Sequence, residues 1–556
     1  MSMVIDAFTT APRVAYFSME IALRPEIPTY AGGLGVLAGD LMRSAADLDL
    51  SMVGVTLVSR RGYFRQEITA QGEQIEKPDD WDPSRFATHL STSVCVRMAG
   101  RDLWIDAWLV TVESPYGTGT PVILLDTNVE RNTPEDRALT DFLYGGDPAY
   151  RLKQEIVLGV GGARMLRALG FRIREYHMNE GHSALLGLEL LRDELGKGVS
   201  METALQTVRL RANFTTHTPV EAGHDRFPYA LVEQLLGDYV DVALLRGLAG
   251  EDELNMTRLA HEMSGIVNGV SRAQANGMFT GERVRSVSNG VHSRFWTCAP
   301  IAALFDRHVP EWRSEPELLT RAVRIPGTEL VAAHAEAKRA LVDEIRARTS
   351  VVFDPRKPIL ALARRMTGYK RPDLLFHDVD QLRAIARVVP FQIAMAGKAH
   401  PRDDRGKLMI HAIHAHGRAL AADLPTVFLP DYDLDLAKLL VSGSDVWLNT
   451  PLPPLEASGT SGMKAAHNGV PSLSVLDGWW IDGCVEGVTG WAIDGDPKRH
   501  ASVLYAKLRD VVLPLYAAGG EGWAAVMRGA IVHNASLFNS HRMLRRYAAE
   551  VYLGAA

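Results

Sequence analysis

Apolar residues in this chain come in two alternating patterns: short unbroken runs, and longer stretches in which they recur every three or four positions. The runs predict strands and the stretches predict helices. In the first half Val14-Ala15-Tyr16-Phe17-Ser18, Met52 to Val58 and Arg211 to Thr215 read as strands, with long helices over about 150–169 and 183–195. In the second half Pro358 to Ala363, Phe391 to Ala396, Thr426 to Leu429 and Val446 to Thr450 are the apolar runs, followed by helical stretches such as 371–389, 407–422 and 433–441. Strand and helix in alternation predict an α/β fold of parallel sheets covered by helices. From Phe538 to Tyr552 the apolar residues Met543, Leu544, Tyr547 and Val551 share one helical face, so a last helix is expected to pack back on the first domain.

Composition narrows the class. A chain of 556 residues exceeds what one hydrophobic core organises, so two or more domains are expected. The turn Ser288-Asn289-Gly290-Val291-His292 marks a boundary there or a little after it. A formal net charge of −6, with arginines spread among acids, offers no footprint for nucleic acid. Cys95, Cys298 and Cys484 are far apart and lack metal or disulfide spacing, which suits a reducing cytoplasm. No window reaches the roughly 18 apolar residues of a membrane span, so no membrane partner is expected.

Chemistry concentrates at predicted strand ends. Leu455-Glu456-Ala457-Ser458-Gly459-Thr460-Ser461-Gly462-Met463-Lys464 is a small-residue turn opening onto a helix, between one run ending at Thr450 and another beginning at Ser472. Unpaired backbone amides at a helix start attract an anion, and an amine in that first turn would reach a phosphate or the cofactor carrying it. Gly32-Gly33-Leu34-Gly35 is a second glycine turn without the full dinucleotide fingerprint, open equally to a ligand or to packing. Arg364-Arg365-Met366-Thr367-Gly368-Tyr369-Lys370-Arg371 puts four cations directly after a strand, where a phosphate clamp belongs, and Gly397-Lys398-Ala399-His400 could add to it. His217 and His182 stand after predicted strands, where structural and functional roles both remain open. His411, His414 and His416 lack a zinc pattern, and no metal is expected.

Together these segments resemble the α-glucan (glycogen, starch and maltodextrin) phosphorylases, in their compact bacterial form. The resemblance rests on Tyr16-Phe17-Ser18-Met19-Glu20, Gly32-Gly33-Leu34-Gly35, Asn179-Glu180-Gly181-His182, Thr216-His217-Thr218, Asn289-Gly290, Arg364 to Arg371, and Glu456 to Lys464 with Asn468-Gly469, in family order along most of the chain. It implies two Rossmann-like domains facing a central cleft, the GT-B glycosyltransferase architecture: 1–297 on the glucan and phosphate side, 298–535 binding the cofactor, and 536–556 returning to the first domain. It implies pyridoxal 5′-phosphate held as a Schiff base by Lys464, with Gly459, Thr460 and Ser461 donating to its phosphate, Arg364 neutralising that phosphate, and Trp296 and Tyr432 beside it. Arg365 and Lys370, assisted by the Gly33 backbone, would hold inorganic phosphate. His217 and Asn289 match contacts to the glucosyl 6-hydroxyl, Glu456 and Ser458 contacts to its 3-hydroxyl, and His182 lies in a substrate-side motif. The catalytic set so implied is Lys464, Arg365, Lys370, His217 and Glu456. The implied reaction is reversible, retaining phosphorolysis of an α-1,4-glucan end to glucose 1-phosphate.

The chain departs from longer relatives in having Arg364 where they carry lysine, Thr367-Gly368 for His-Glu, and Gly462 for asparagine. It also begins almost at the first strand, which puts acceptor-chain preference in question. Two rival readings stand beside the first. A glycogen or starch synthase-like glycosyltransferase would share the architecture, yet many such enzymes place a second glutamate eight residues after the first, and here that position is Lys464. A non-catalytic glucan-binding protein would have no need of Lys464 together with the cation cluster. Oligomeric state stays open, a homodimer included.

Overall fold

The computed structural model describes residues 3–218, 224–272, 274 and 284–553. The chain divides into two compact units, one built from Met1–Phe64, Pro78–Ser288 and Met543–Ala556, the other from Arg65–Lys77 and Asn289–Arg542. No helix among the described residues is long and apolar enough to cross a membrane.

Along the chain the strands are β1 (Arg13–Ser18), β2 (Met52–Leu57), β3 (Arg65–Ile68), β4 (Gln74–Lys77), β5 (Thr88–Met98), β6 (Arg101–Glu113) and β7 (Gly119–Asp126). They continue with β8 (Ile173–Asn179), β9 (Ala212–Thr216), β10 (Arg226–Pro228), β11 (Glu253–Asn255), β12 (Ile266–Gly269) and β13 (Val284–Ser286). In the first unit a nine-stranded sheet has the order β13-β12-β9-β8-β1-β2-β7-β6-β5. The expectation of purely parallel sheets fails at one edge: β7 pairs with β6, and β6 with β5, antiparallel. Two consecutive left-handed residues, Ala99 at φ 50° and Gly100 at φ 77°, turn β5 directly into β6, so no crossover helix intervenes. Elsewhere the sheet is parallel, and wholly buried strands such as β1 and β2 account for their unbroken apolar runs. Met543, Leu544, Tyr547 and Val551 of the C-terminal segment join Val14, Tyr16, Leu41 and Met42 in one apolar cluster.

The second unit contains a six-stranded, all-parallel sheet of β14 (Ile359–Ala363), β15 (Gln392–Ala396), β16 (Thr426–Leu429), β17 (Val446–Asn449), β18 (Ser472–Val475) and β19 (Gly490–Ile493). Its order is β16-β15-β14-β17-β18-β19, so the connection direction reverses between β14 and β17. In open parallel sheets such a reversal, at the strand C-terminal ends, is where ligands bind. One expected helix is corrected. Residues 371–378 form no α-helix, only a single 3₁₀ turn at Leu374–Phe376, and the α-helix is Val379–Val388. Pro372 disfavours helical backbone at Arg371, which sits at φ 44°, and the Asp378 side chain caps the helix by accepting from the Gln381 amide.

Candidate active site

In the second unit the chemistry-bearing loops follow adjacent strands. Arg364 to Lys370 leave β14, and Glu456 lies in the loop that leaves β17. Arg364 Nη2 donates to Glu456 Oε2 at 2.7 Å, and Lys370 Nζ contacts both oxygens, with Oε1 at 2.6 Å. The three side chains are only 8, 13 and 10% exposed, so water screens the cluster weakly. Burial by itself would raise the Glu456 carboxyl, but the charges and hydrogen bonds of Lys370 and Arg364 outweigh it and hold it below the usual carboxylate range. Two cations on one carboxylate leave a net positive charge. Arg364 Nε and Nη1 are buried and have no hydrogen-bond partner within the protein. Such donors are costly to leave unmet, and an anion is the group that would satisfy them.

Arg365 is exposed beside this cluster in sequence, while Arg371 turns away to donate to the Thr450 and Pro451 carbonyls. The four cations of the motif therefore divide: Arg364 and Lys370 share Glu456, and Arg371 braces the backbone after β17.

Lys464 is carried by the short helix Ser461–Ala466 and is 6% exposed. Its Nζ lies 4.1 Å from the ring centroid of buried Trp296. Asn468 fixes both partners: Nδ2 donates to the Trp296 carbonyl at 2.8 Å and to the Lys464 carbonyl at 3.0 Å, and Oδ1 accepts from the Cys298 amide. Gly459 sits at φ 70°, where a side chain would be strained, and Ser461 Oγ accepts from Trp447 Nε1 at 3.0 Å. Ser458 Oγ and Asn289 Oδ1 are buried without partners. Tyr432 follows β16, and burial raises its phenol well above the ordinary value. Asp477, a residue the motifs did not single out, takes the Glu456 amide on Oδ2 at 2.9 Å and the Gly478 amide on Oδ1. Only its place after β18 could have drawn attention to it. The three histidines of helix Asp404–Leu420 are used in part for packing: His416 stacks on Phe376 and His414 tilts against Phe428.

In the first unit His217 and Glu20 follow β9 and β1, and Asn179 ends β8, the strand between them. Asn179 Nδ2 donates to Ser18 Oγ, so its Oδ1 is the acceptor for His217 Nε2 at 2.7 Å. Burial lowers the His217 pKa to about 4. The neutral ring therefore carries its proton on Nε2 and offers Nδ1 as an acceptor, as a hydroxyl ligand requires. Glu180, at φ 76°, takes the His217 amide on Oε2 at 2.9 Å and locks that turn. His182 faces Asp225 at 3.5 Å, and burial, followed by the charge of Arg151, lowers its pKa to about 3. In the glycine turn Glu20 Oε2 takes the Ala31 and Gly32 amides at 2.6 and 3.0 Å. A Cβ on Gly33 would meet nothing within 4 Å, whereas one on Gly35 would come within 2.6 Å of Glu20. Gly35 serves packing, and Gly33 stays open to a ligand.

The family model for carbohydrate phosphorylase matches residues 25–101 and 240–486. The maltodextrin phosphorylase of Thermococcus litoralis is 36% identical, aligned over 97% of this chain and 70% of its own. The chain belongs to the carbohydrate phosphorylase family. Other relatives of this phosphorylase include the glycogen phosphorylase of Mycobacterium tuberculosis, 36% identical over 98% of this chain and 71% of its own. That of Aquifex aeolicus is 34% identical over 97% and 86%. Membership makes the chain an enzyme of the phosphorylase class of glycosyltransferases, and it removes the synthase-like and non-catalytic readings.

Proposed function

We propose that this enzyme is an α-1,4-glucan phosphorylase of GT-B architecture, with two Rossmann-like domains, releasing glucose 1-phosphate from glucan non-reducing ends with pyridoxal 5′-phosphate as cofactor. The observation that supports it most is the buried Arg364–Glu456–Lys370 cluster. Its unmet guanidinium donors stand at the strand ends from which the Lys464 loop also departs. A phosphate cofactor suits these residues. Arg364 supplies buried N–H groups without partners, Lys464 a buried amine against Trp296, and the turn at Gly459, Thr460 and Ser461 a backbone free of bulky side chains. When bound, the cofactor supplies a phosphate group that exchanges a proton with the substrate phosphate.

The chain's own residues then do the following. Lys464 holds the cofactor, with Trp296 and Tyr432 flanking it. Arg365 and Lys370 grip inorganic phosphate, the Gly33 amide assisting, and Arg364 offsets the repulsion between two phosphates at close range. As the glycosidic bond breaks, the held phosphate gives a proton to the leaving glucan oxygen, stabilises the positive charge at C1 and forms the new C1–O bond with retention. Glu456 accepts from the 3-hydroxyl beside Ser458. His217 accepts from the 6-hydroxyl on Nδ1, Asn289 offers Oδ1, and His182 borders the substrate. The free thiols Cys95, Cys298 and Cys484 suit a reducing cytoplasm.

The test combines spectroscopy with turnover. Purified protein is expected to show a near-ultraviolet or visible band that borohydride changes and that Lys464→Ala lacks, and to release glucose 1-phosphate from maltooligosaccharides only when phosphate is present. Protein without the band, yet active with a nucleotide sugar, would refute the assignment.

A further inference from the structure

The hairpin β3–β4 belongs to the second unit although the chain on either side of it belongs to the first. Its register pairs Gln66 with Glu76 and Ile68 with Gln74, so these side chains share one face. That face is docked. Gln66 and Gln74 are 3 and 8% exposed, and Ile68 packs on the apolar core of the second unit. Gln66 Nε2 donates to the Gly397 carbonyl at 2.9 Å and to Gln74 Oε1 at 2.8 Å. Gln74 takes the Ala399 amide on Oε1 and donates to the Ala399 carbonyl from Nε2, each at 3.0 Å. Gln66 also exchanges two bonds with Asp431, its amide donating to Oδ1 at 3.0 Å and its Oε1 accepting from the Asp431 amide at 2.9 Å.

The loop held in this way is the one on which the cationic segment rests. The Met366 amide donates to the Lys398 carbonyl at 3.0 Å, and the Arg364 amide to the Ala396 carbonyl at 3.1 Å. A Cβ on Gly397 would fall 1.9 Å from the Arg364 carbonyl, so the two backbones touch. Asp431 in turn holds Lys398 Nζ at 2.7 Å. Arg365 is flanked in sequence by the two residues whose amides are fixed in this way.

We propose that Gln66 and Gln74 are positioning residues for the phosphate-gripping cations of the Arg364–Lys370 loop, acting through Gly397–Ala399; this rests on the functional reading above. The paired amides suit the task. Each glutamine offers a donor and an acceptor to backbone groups that would otherwise be buried unmet.

Gln66→Met and Gln74→Met keep the side-chain length and remove the side-chain bonds, leaving the Gln66 backbone amide on Asp431. Both are expected to raise KM for inorganic phosphate about tenfold while KM for maltooligosaccharide stays within about twofold, the scale set by losing one buried hydrogen bond. Hydrogen exchange read by mass spectrometry should quicken about tenfold over Met366 and Ala399 by the same arithmetic. Gln74→Glu adds a readout that a merely structural role would not move. Its carboxylate still accepts from Ala399 but faces Glu76 and cannot donate, so its phosphate KM, divided by that of the wild type, should fall towards one as acidification restores a proton. Equal rises in both KM values, or unchanged exchange over Met366 and Ala399, would overturn the proposal. Wild-type protein that cleaves no glucan with phosphate would overturn the functional reading instead, and the exchange data would still judge the clamp.

Discussion

Glu456→Gln changes one atom type at the centre of the charged cluster, and its effects can be worked from the geometry. The carboxylate now accepts from Arg364 at 2.7 Å and from Lys370 at 2.6 Å, with all three side chains at least 87% out of water. Glutamine keeps the length and one acceptor oxygen but leaves two buried cations without a counter-charge. Removing one partner of a buried ion pair costs about 3–5 kcal/mol, and the retained neutral acceptor should keep the loss near the lower end. Inorganic phosphate would then find an emptier positive site. At a hundred times its Kd, a ligand bound only by the folded state returns about 2.7 kcal/mol. Urea melts with and without phosphate are therefore expected to show a destabilised variant that phosphate largely restores. Initial rates should show a lower KM for phosphate with kcat down about a hundredfold, the sugar having lost a charged acceptor worth about 1.5–3 kcal/mol. Acid should separate the two proteins less than neutral pH. The depressed Glu456 pKa contributes stability above its unfolded value near 4.3, and this is lost as pH falls through the folded one. A variant as stable as wild type with an unchanged phosphate KM would show that the three charges are not coupled.

Asp445→Asn should lower stability by about 3–5 kcal/mol in urea melts and leave both KM values alone. Asp445 is buried at the start of β17, holding Lys338 at 2.6 Å, His334 at 3.1 Å and the Ile359 amide at 2.7 Å, at the end of the sheet opposite the Arg364 loop. The buried neutral histidines predict acid sensitivity. Burial lowers His177 to about 3 and His467 to about 4, so their contribution is intact above about pH 6.5, the unfolded value, and is lost as pH falls from there towards 3. Denaturant midpoints against pH should trace that decline, and His467→Asn should flatten it; an identical slope in the variant would refute the assignment. Tyr552→Phe removes the 2.8 Å bond to His177 Nδ1 and should cost about 1 kcal/mol in the same melts. Arg365→Ala should weaken phosphate binding more than cofactor retention, checked by phosphate KM against the absorption band; equal losses would mean the clamp is misassigned.

Buried central strands were readable from the chain because burial on both faces demands unbroken apolar runs. Ile359–Ala363 and Gln392–Ala396 lie within a residue of the runs that predicted them. The antiparallel edge was not readable in this way. Residues such as His89, Ser91, Ser93 and Arg97 alternate along β5 with buried Leu90, Val96 and Met98, and a search for solid apolar runs passes over such a strand. At the site, the kinds of residue at each strand end were visible, since glycine turns and cation clusters are local patterns. Which of them meet was not: Arg364 and Glu456 are 92 positions apart, and no periodicity joins them. Asp477, Gln66 and Gln74 carry no motif, and a glutamine in an ordinary hairpin gives no sign that it will bond backbone more than 300 positions on.

Neither unit is continuous in the chain, and this has a consequence for biosynthesis and for making fragments. The first unit's apolar cluster contains both Val14 and Tyr552, which lie far apart along the chain. At about 5–20 residues per second, roughly half a minute to two minutes separate their emergence. Through that interval Val14 and Tyr16 of β1 lack part of their apolar cover, while the hairpin 65–77 is made well before the sheet it serves. A gene divided at Ser288 would give two polypeptides, each lacking a segment of its own core or loop support. Co-expression or annealing of the two pieces, rather than either piece alone, is the route by which such a split enzyme would regain activity.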